Sequence, residues 1–356
     1  VFVRSGTTWT QQAELLADDR AFSDYFGGSV SIDGDTAVVA AEWDDHAFTN
    51  AGSAYVFARS GTTWTQQAKL VAADSAYSDR FGSSVSIDGD TAAVGGQNVD
   101  ATGSAYIFVR SGTVWSEQAK LIGGDIAGGA QMGNSVVVSG DAVLVGAPTD
   151  DHHGANNVGS AWWYTRTGTT WTEQQKLIPT DGATNDKFGQ SVAFSGDTVV
   201  VGAYSDDHAA GTNAGSVYVF VSSGDTWSEQ AKLVAGDAAQ DNVFGVSVAI
   251  DGDTLVVGAP DDDVGGTSSG SAYVFVRSGS TWTEQQKLVA GDAAEYDSFG
   301  YAVAIDGDSV AVGAPHHEYT IPGAGSAYVF VRSGTVWSEQ QKLVVGSPTN
   351  YFVGHS

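Results

Sequence analysis

Residues 244–288 read FGVSVAIDGDTLVVGAPDDDVGGTSSGSAYVFVRSGSTWTEQQKL, and this stretch decides the fold. It contains four short runs, SVAI, LVVGAP, SAYVFV and WTEQQKL, which are separated by turn-forming Gly, Asp and Ser residues. Runs of this length, rich in Val, Ala, Tyr and Phe, are typical of half-buried β-strands and are too short for helices. Asp251-Gly252 suits a tight turn with positive φ, so the stretch predicts a four-stranded meander.

The same unit recurs along the whole chain. Its fourth strand opens on a tryptophan, which is found at Trp9, Trp64, Trp115, Trp171, Trp227, Trp282 and Trp337. Successive tryptophans are 55, 51, 56, 56, 55 and 55 residues apart. A period of roughly 40 to 50 residues or slightly more, with four strands in each unit, indicates the blades of a β-propeller.

The repeats divide the 356 residues into a half unit, six whole units and a remnant. Residues 1–15 match strands 3 and 4 of a unit, whereas residues 344–356 end in Phe352-Val353-Gly354-His355-Ser356, which matches the start of another unit. Whole units are expected at residues 26–70, 81–121, 132–177, 188–233, 244–288 and 299–343. We therefore predict a single all-β domain over residues 1–356, a seven-bladed β-propeller of four-stranded antiparallel blades. The N-terminal hairpin is expected to close the seventh blade, and the native chain to continue past Ser356 with a sequence like SVxIDGDxxVVGAP.

Short motifs within the units resemble a known repeat. A Phe-Gly pair opens the units at Phe26-Gly27, Phe81-Gly82, Phe188-Gly189, Phe244-Gly245 and Phe299-Gly300, with Met132-Gly133 as the one substitution. A Gly-Ala-Pro triplet follows at Gly146-Ala147-Pro148, Gly258-Ala259-Pro260 and Gly313-Ala314-Pro315. In these motifs the whole chain resembles the FG-GAP repeat proteins, which build the propellers of integrin α-subunits and of many microbial surface proteins. The resemblance implies a module that is displayed outside the cell.

The charge of the chain is strongly one-sided. Its 42 acidic residues outnumber 15 basic ones, which gives a formal net charge of −27. Nucleic acid is therefore not expected as a partner, because phosphate binding needs clustered Lys and Arg. No apolar run reaches the ~20 residues of a membrane-spanning helix, so membrane insertion is not expected either. Because salt screens such self-repulsion, the charge favours a saline or calcium-rich extracellular setting, such as that of a halophilic or marine organism.

The meander places the loops at two ends of each blade. Each loop is named by the strands that it joins, so the 4–1 loop joins strand 4 of one blade to strand 1 of the next. The end with the 1–2 and 3–4 loops is called the first face. The end with the 2–3 and 4–1 loops is called the second face. The 2–3 loops carry paired carboxylates at Asp44, Asp45, Asp150, Asp151, Asp206, Asp207, Asp261, Asp262 and Asp263. Neighbouring Asp side chains chelate hard cations, so these residues are candidate Ca²⁺ ligands and Ca²⁺ is the candidate cofactor. The alternative is that they cap their own turns.

Two further features bear on metal binding. The resemblance to integrins implies calcium loops between strands 1 and 2, but this chain has only a short Ile-Asp-Gly-Asp turn there, as at Ile250 to Asp253, so those sites are not expected. Six of the seven histidines lie in the 2–3 loops, at His46, His152, His153, His208, His316 and His317. A transition-metal site that uses these imidazoles is a third alternative.

Two recurring charged positions have simpler interpretations. Strand 4 carries lysines at Lys69, Lys120, Lys176, Lys232, Lys287 and Lys342. On an outermost strand, such lysines are expected to blunt an exposed sheet edge against pairing with other chains. The 4–1 loops carry Asp residues, as at Asp181 and Asp186, which are expected to shape the turn into the next Phe-Gly pair.

The sequence contains no motif that pairs a nucleophile with a base, so no catalytic residue is predicted. The expected function is a binding, adhesion or scaffold module that presents acidic loops at the second face, with a surface protein or a polysaccharide as its partner. One alternative is a polysaccharide hydrolase or lyase that uses His and Asp of this face. Another is an architectural subunit of a surface layer or filament. The oligomeric state does not follow from the sequence.

Overall fold

The computed structural model describes residues 1–21, 23–152, 154–224, 226–317, 325–345 and 353–355. It shows an all-β propeller of four-stranded antiparallel blades, each of which is a meander of consecutive strands. The N-terminal strands β1 (Phe2–Ser5) and β2 (Thr8–Gln11) form a separate two-stranded sheet. The predicted all-β propeller of four-stranded antiparallel blades and the predicted strand order within a blade are both confirmed.

One compact unit contains Val1–Phe2 and Gln11–Ile178, with three blades. Blade 1 consists of β3 (Phe26–Asp33), β4 (Thr36–Ala41), β5 (Ser53–Ser60) and β6 (Thr63–Leu70). Blade 2 consists of β7 (Phe81–Asp88), β8 (Thr91–Gly96), β9 (Ser104–Ser111) and β10 (Val114–Leu121), with a 3₁₀ turn at Val99–Ala101. Blade 3 consists of β11 (Ser135–Ser139), β12 (Ala142–Ala147), β13 (Ser160–Thr167) and β14 (Thr170–Leu177).

A second compact unit contains Val3–Thr10 and Pro179–Ser356, also with three blades. Blade 4 consists of β15 (Phe188–Ser195), β16 (Thr198–Ala203), β17 (Ser216–Ser223) and β18 (Thr226–Leu233). Blade 5 consists of β19 (Ser247–Asp251), β20 (Thr254–Ala259), β21 (Ser271–Ser278) and β22 (Thr281–Leu288). Blade 6 consists of β23 (Val303–Asp306), β24 (Ser309–Ala314), β25 (Ser326–Ser333) and β26 (Val336–Leu343).

In the blades that open on a Phe-Gly pair, the phenylalanine anchors the core. In blade 5 the Phe244 ring meets Tyr273 and Phe275 of β21 edge-to-face, with centroids 5.5 and 6.0 Å apart, and all three side chains are buried. Edge-to-face pairs of this kind add about 1 kcal/mol to the burial of the rings themselves. The same arrangement recurs around Phe81, Phe188 and Phe299.

The glycines of both motifs lie where the backbones of consecutive blades meet. A Cβ on Gly258 of blade 5 would lie 1.8 Å from the carbonyl oxygen of Gly300, which opens blade 6. Gly300 itself has φ +95°, and a Cβ there would lie 2.1 Å from the Ser271 carbonyl oxygen. No larger residue fits either position, and only glycine adopts this φ at little cost. The glycines of the Phe-Gly pair and of the Gly-Ala-Pro triplet are therefore required where consecutive blades are in contact.

Six four-stranded blades are found among the described residues, so the expected count of seven is not confirmed. A seventh four-stranded blade needs an inner pair of strands beside the β1–β2 hairpin, and no such pair occurs in the described part of the chain. Near the C-terminus, Val353 forms a parallel bridge with Gly325, as Phe299 does with Gly270 in the preceding blade. Phe352 and Ser356 lie outside the described residues.

Candidate functional site

The first face of the blades is braced by arginines. In blade 5, Arg277 Nε donates to Asp253 Oδ1 at 2.6 Å, and Nη1 donates to Thr198 Oγ1 of the preceding blade at 2.7 Å. The guanidinium group lies over Trp282, 5.4 Å from the ring centroid. Equivalent ion pairs are Arg59–Asp35, Arg110–Asp90, Arg166–Asp141 and Arg332–Asp308. These polar groups hold neighbouring strands together rather than forming a cleft.

At the second face, the lysine of strand 4 connects two loops of its own blade. In blade 4, Lys232 Nζ lies 2.7 Å from Asp206 Oδ2 in the 2–3 loop and 2.8 Å from Asp181 Oδ2 in the preceding 4–1 loop. Tyr218, opposite Lys232 in the ladder, donates its hydroxyl to Asp181 Oδ1 at 2.8 Å. Equivalent groups are Lys69 with Asp44 and Asp19, Lys120 with Asp100 and Asp74, Lys176 with Asp150 and Asp125, and Lys287 with Asp262 and Asp237.

These contacts correct the prediction for the lysines. The Lys232 side chain is 23% exposed, and its ammonium group is held by carboxylates instead of lining the sheet edge as a free charge. Burial alone would lower the pKa of Lys232, but hydrogen bonds with Asp181 and Asp206 outweigh it and raise the pKa. The lysine therefore stays charged and neutralises the loops around it.

In each predicted calcium-binding group of aspartates, one aspartate is buried. Asp44, Asp150, Asp206 and Asp262 are 6%, 0%, 2% and 7% exposed. Each contacts the lysine of its blade, at Nζ–Oδ2 distances of 2.7, 3.0, 2.7 and 2.5 Å. Asp150 and Asp206 also accept hydrogen bonds from Ser160 and Ser216. The ammonium group thus occupies the position that a cation would take beside these carboxylates.

The aspartate that follows each buried one closes its own loop. Asp45 Oδ1 accepts a hydrogen bond from the backbone N–H of Asn50 at 2.7 Å. The same bond joins Asp151 to Asn157, Asp207 to Asn213 and Asp263 to Ser268, at 2.7 to 2.8 Å. This geometry matches the turn-capping interpretation. Asp261 is exposed beside these groups. Among the described residues, no three His, Asp or Glu side chains converge as a metal site would require.

Two aspartates of one 4–1 loop have pKa values that are shifted in opposite directions. Asp186 is 2% exposed, and its Oδ2 accepts the backbone N–H of Ala183 at 2.6 Å, which shapes the turn before the Phe-Gly pair as predicted. Burial raises the pKa of Asp186 to about 6, and the nearby Asp206 charge acts in the same direction. For Asp181, burial is outweighed by hydrogen bonds from Lys232 and Tyr218, so its pKa is lowered.

Blade 6 carries a histidine where blades 1, 3, 4 and 5 have the buried aspartate. His317 is 5% exposed, and its Nδ1 lies 2.7 Å from Asp297 Oδ2. Its Nε2 lies 2.6 Å from Lys342 Nζ, which also contacts Asp292 Oδ2 at 2.7 Å. Because the ammonium group can only donate, Nε2 accepts and the Nδ1 proton faces Asp297. The imidazole therefore replaces a carboxylate as an acceptor within the same network.

Other predicted histidines brace their own loops. His152 Nε2 lies 3.0 Å from the Gly159 carbonyl oxygen, and His208 Nε2 lies 3.1 Å from that of Gly215. His46 Nδ1 lies 3.8 Å from Asp44 Oδ2, and burial lowers the pKa of His46. His153 lies outside the described residues. These imidazoles contact neighbouring loop atoms, which is a structural use of the residue.

An exposed aromatic cluster lies at the second face, between blades 1 and 2. Trp43 and Tyr25 are 40% and 41% exposed, with ring centroids 6.1 Å apart. The guanidinium of Arg80 lies 5.3 Å from the Trp43 ring centroid, and Trp43 Nε1 donates to Glu42 Oε1 at 2.9 Å. Burial raises the pKa of Glu42 despite the hydrogen bond from Trp43. Phe48, in the same 2–3 loop, is 51% exposed.

Tyr25 and Arg80 belong to a position with fixed backbone and variable side chains. The residue before each Phe-Gly pair, or before Met132-Gly133, has a φ between +51° and +61°, at Tyr25, Arg80, Gln131, Lys187, Val243 and Ser298. A non-glycine residue costs about 1 kcal/mol or more in this conformation. Six copies therefore hold one strained geometry but present six different side chains at the second face.

The lysine–tyrosine pairs were missed from the sequence, although a signal for them exists. Tyr55 and Lys69 are partners across the β5–β6 ladder, and the equivalent residues are 14 positions apart in every blade. The sole departure from tyrosine is Trp162, which faces Lys176. A constant separation across a hairpin predicts a cross-strand pair, but the aspartates that complete each group come from loops that the ladder does not specify.

Within the part of the chain that the structure describes, no helix has the length and apolarity that a membrane crossing requires. Three curated relatives are integrin alpha-7 from Rattus norvegicus, Mus musculus and Homo sapiens, which are 33%, 32% and 33% identical over 102, 102 and 94 residues. These alignments cover 26%, 26% and 25% of this chain, and only 9%, 8% and 8% of the relatives.

The repeat itself gives the broader match. The sequence profile described as "FG-GAP repeat" matches residues 9–57, 64–108, 115–164, 171–220, 227–275 and 282–330. Each window begins at the strand-4 tryptophan of one sheet and ends in strand 3 of the next blade. With these six matches over most of its length, the chain belongs to the FG-GAP repeat family.

Proposed function

We propose that the chain is a binding or adhesion module that presents acidic loops at the second face. The observation that carries this proposal is the Tyr25–Trp43–Arg80 cluster, in which both aromatic side chains are exposed and Arg80 is half-buried. Exposed tryptophan, tyrosine and arginine are the side chains that most often dominate binding energy in interfaces. The backbone at Tyr25 and Arg80 has the positive φ that all six repeats share at this position, so it holds the two side chains in a fixed place at the second face.

The lysine networks support this assignment. They fix the base of each 2–3 loop to its blade, so the outer residues of the loop can vary while the scaffold stays the same. Rigid scaffolds with variable loops are a common basis for binding sites. The integrin relatives favour adhesion, and the module is proposed to act at the cell surface or outside the cell. Its proposed partner is a surface protein or a polysaccharide.

No catalytic role is proposed. The contacts of His152, His208 and His317 are with loop carbonyl groups, an aspartate and a lysine, which accounts for their positions without chemistry. The three curated relatives are named as integrin subunits rather than as enzymes. An enzyme would instead need a nucleophile or base directed at a substrate site.

Adhesion of coated beads tests the proposal. Beads that carry the chain are measured on surfaces coated with a panel of matrix proteins and of acidic and neutral polysaccharides. The double variant Trp43→Ala/Arg80→Ala should weaken binding about 30-fold, as expected for a loss of about 2 kcal/mol at an interface centre. Val114→Ala, at an exposed position of the first face, is the matched control and should bind as the parent does.

Three outcomes contradict the proposal. Binding that survives the double variant would exclude this cluster as the site. Turnover of a polysaccharide that is lost in His208→Ala would favour the hydrolase or lyase. Ordered lattices or filaments that form without any ligand, and that persist in the double variant, would favour an architectural subunit.

We also propose that the β1–β2 hairpin forms the outer two strands of a seventh blade. Trp9 N donates to Gln341 Oε1 at 2.7 Å, and Gln341 Nε2 donates to the Trp9 carbonyl oxygen at 2.8 Å. Between blades 5 and 6, Trp337 and Gln286 form the same reciprocal pair, at 2.8 and 2.8 Å. The hairpin therefore makes the same contact with blade 6 that the outer strands of blade 6 make with blade 5.

Calcium binding by the 2–3 loops stays a prediction. The buried aspartates Asp44, Asp150, Asp206 and Asp262 are already matched by lysine, so we propose that any Ca²⁺ binds weakly and at the exposed carboxylates. Those are Asp45, Asp151, Asp207, Asp261 and Asp263. Weak binding is expected because each site would supply few protein oxygens.

A further inference from the structure

Blade 1 differs from the other blades where β4 leads into the 2–3 loop. Glu42-Trp43 lies there, whereas three blades have proline at the position of Glu42, namely Pro148, Pro260 and Pro315. At the position of Trp43 the other blades carry small or polar residues, which are Asn98, Thr149, Ser205, Asp261 and His316. The tryptophan is therefore a feature of one blade and is not required by the repeat.

The Trp43 ring is held in a fixed position. Its backbone N–H donates to the Asp24 carbonyl oxygen at 3.2 Å, and its Nε1 donates to Glu42 Oε1 at 2.9 Å. The Arg80 guanidinium lies 5.3 Å from the ring centroid, yet 40% of the Trp43 surface stays exposed. Because the ring is already ordered, a ligand that packs on it loses little affinity to side-chain entropy.

The surroundings of the ring suit a sugar. Tyr25 lies beside Trp43, with the ring centroids 6.1 Å apart and the ring planes tilted by 31°. The C–H groups on one side of a pyranose are weakly positive, so they pack on the negative face of an aromatic ring. Glu42 and Arg80 supply an acceptor and N–H donors for hydroxyl groups at the edge of the ring. Apolar surface with a few polar groups is typical of small-ligand sites.

Charge selects among the possible ligands. Burial raises the pKa of Glu42, and the Arg80 charge partly opposes the rise. The formal charges of these two side chains cancel, so the edge of the Trp43 ring carries no net charge. The chain as a whole carries a formal charge of −27, which repels polyanions. A polycation would be attracted to exposed loop carboxylates such as Asp45 rather than to Arg80. An uncharged ligand is therefore favoured.

We propose that the Tyr25–Trp43–Arg80 cluster, together with Glu42, binds a neutral polysaccharide, of which one pyranose ring packs on Trp43 while its hydroxyl groups pair with Glu42 and Arg80. This inference rests on the function proposed above and narrows its partner to an uncharged sugar chain. Such contacts need no charge on the ligand, so the binding is insensitive to salt. A single packed ring binds weakly, and many copies of the chain on one surface multiply the strength of attachment.

Affinity electrophoresis of the full chain tests the class of ligand. Native gels each contain one soluble polysaccharide: the neutral mixed-linkage glucan, xyloglucan, galactomannan or mannan, or the acidic alginate. At least one neutral polysaccharide should retard the chain, whereas alginate should not. Calorimetric titration with that neutral polysaccharide should give a Kd that changes less than about twofold between about 0.1 M and about 1 M NaCl, because neutral contacts are not screened.

Variants locate the site on Trp43. Trp43→Ala removes the packing surface and should raise the Kd about tenfold or more, whereas Trp43→Phe keeps an aromatic ring and should raise it less. Tyr296→Ala is the matched control, at a tyrosine of the 4–1 loop after blade 5 that is 61% exposed, and should leave the Kd unchanged. Circular dichroism and melting temperature check that all three variants keep the fold.

The inference is wrong if no neutral polysaccharide retards the chain, if alginate retards it more strongly, or if the affinity falls steeply with salt. It is also wrong if Trp43→Ala leaves the Kd unchanged, or if Trp43→Phe loses as much affinity as Trp43→Ala. If coated beads bind a matrix protein through Trp43 and Arg80 while no neutral polysaccharide is bound, only this inference fails and the proposed function stands. If the beads bind no surface at all, both fail.

Discussion

The two faces of blade 5 hold the same kind of ion pair in different surroundings. At the first face, Arg277 Nε lies 2.6 Å from Asp253 Oδ1, and the Asp253 side chain is 68% exposed. At the second face, Lys287 Nζ lies 2.5 Å from Asp262 Oδ2, and the Asp262 side chain is 9% exposed. The two distances are nearly the same, but the energies differ, because an exposed pair contributes about 0 to 1 kcal/mol, whereas breaking a buried pair costs about 3 to 5 kcal/mol.

Because of this difference in burial, the ion pairs of the two faces contribute differently to stability. The exposed pairs at the first face add modest bracing between strands, and salt screens them. At the second face, the carboxylates and lysines form closed groups whose members depend on one another. Burial alone would lower the pKa of Lys287, but hydrogen bonds with Asp237 and Asp262 outweigh it and raise the pKa. A strongly acidic surface can thereby keep its loop bases in a fixed arrangement.

The largest expected effect is that of Lys287→Met. Removing the ammonium group leaves Asp262 buried without its counter-charge, so the free energy of unfolding should fall by about 3 kcal/mol. Urea denaturation at pH 7, followed by tryptophan fluorescence, measures the change. Arg277→Met in the same blade is the matched control, and its effect should stay below about 1 kcal/mol.

The double variant Lys287→Met/Asp262→Asn sharpens this test. Because it removes both charges, it should be more stable than Lys287→Met alone. If Lys287→Met and Arg277→Met lowered the free energy of unfolding equally, the proposed difference between the two faces would be wrong, since burial would then not determine the energy of the ion pair.

A smaller effect, of opposite sign, is expected from Asp186→Asn. The pKa of Asp186 is raised to about 6 from an ordinary value near 3.8. Between about pH 4 and pH 6 the folded state therefore binds more protons than the unfolded state, and stability falls as pH rises through this window. Asn keeps the acceptor for Ala183 N but carries no charge. Stability at pH 7 should rise by about 1 to 2 kcal/mol, and its fall between pH 4 and pH 6 should become shallower.

Asp181→Asn, in the same loop, provides the contrast. Because the pKa of Asp181 is lowered, its contribution is present above the ordinary pKa and is lost as pH falls. Asp181→Asn should therefore destabilise the protein at neutral pH and make it less sensitive to acid. Denaturation midpoints that are measured from about pH 3 to about pH 8 distinguish the two signs. Parallel pH profiles for the two variants would contradict the assignment.

The smallest expected effect is that of calcium. If the ion binds only exposed carboxylates, a Ca²⁺ concentration of ten times Kd stabilises the fold by about 1.4 kcal/mol. Calorimetry at constant ionic strength should show weak, chelator-sensitive binding, which Asp261→Ala/Asp263→Ala reduces. Asp253→Ala, at the first face, is the control and should leave calcium binding unchanged. A melting temperature that is indifferent to Ca²⁺ and to chelator would mean that the loops only cap their turns.

The blade could be predicted in detail and the site only in part. Runs such as LVVGAP and turns such as Asp251-Gly252 specify strands and hairpins through local geometry, so the strand bounds follow the repeats closely. Asp150, Asp206 and Asp262 of the 2–3 loops were predicted as site residues. The lysines that contact them were predicted to protect a sheet edge instead. Nothing local in the sequence joins Lys232 to Asp181, which lies 51 residues earlier.

The sequence by itself determined the all-β class, the repeat period, the meander and the FG-GAP motifs, because each depends on neighbours in the chain or on a fixed spacing. Only the tertiary structure decided which charges are buried. The Asp253 and Asp262 side chains belong to one repeat, and nothing in their residue type separates them. Packing leaves the first in water and encloses the second beside Lys287 and Tyr273. Burial is a property of the folded surroundings, and it sets both the strength of each ion pair and the pKa of each carboxyl group.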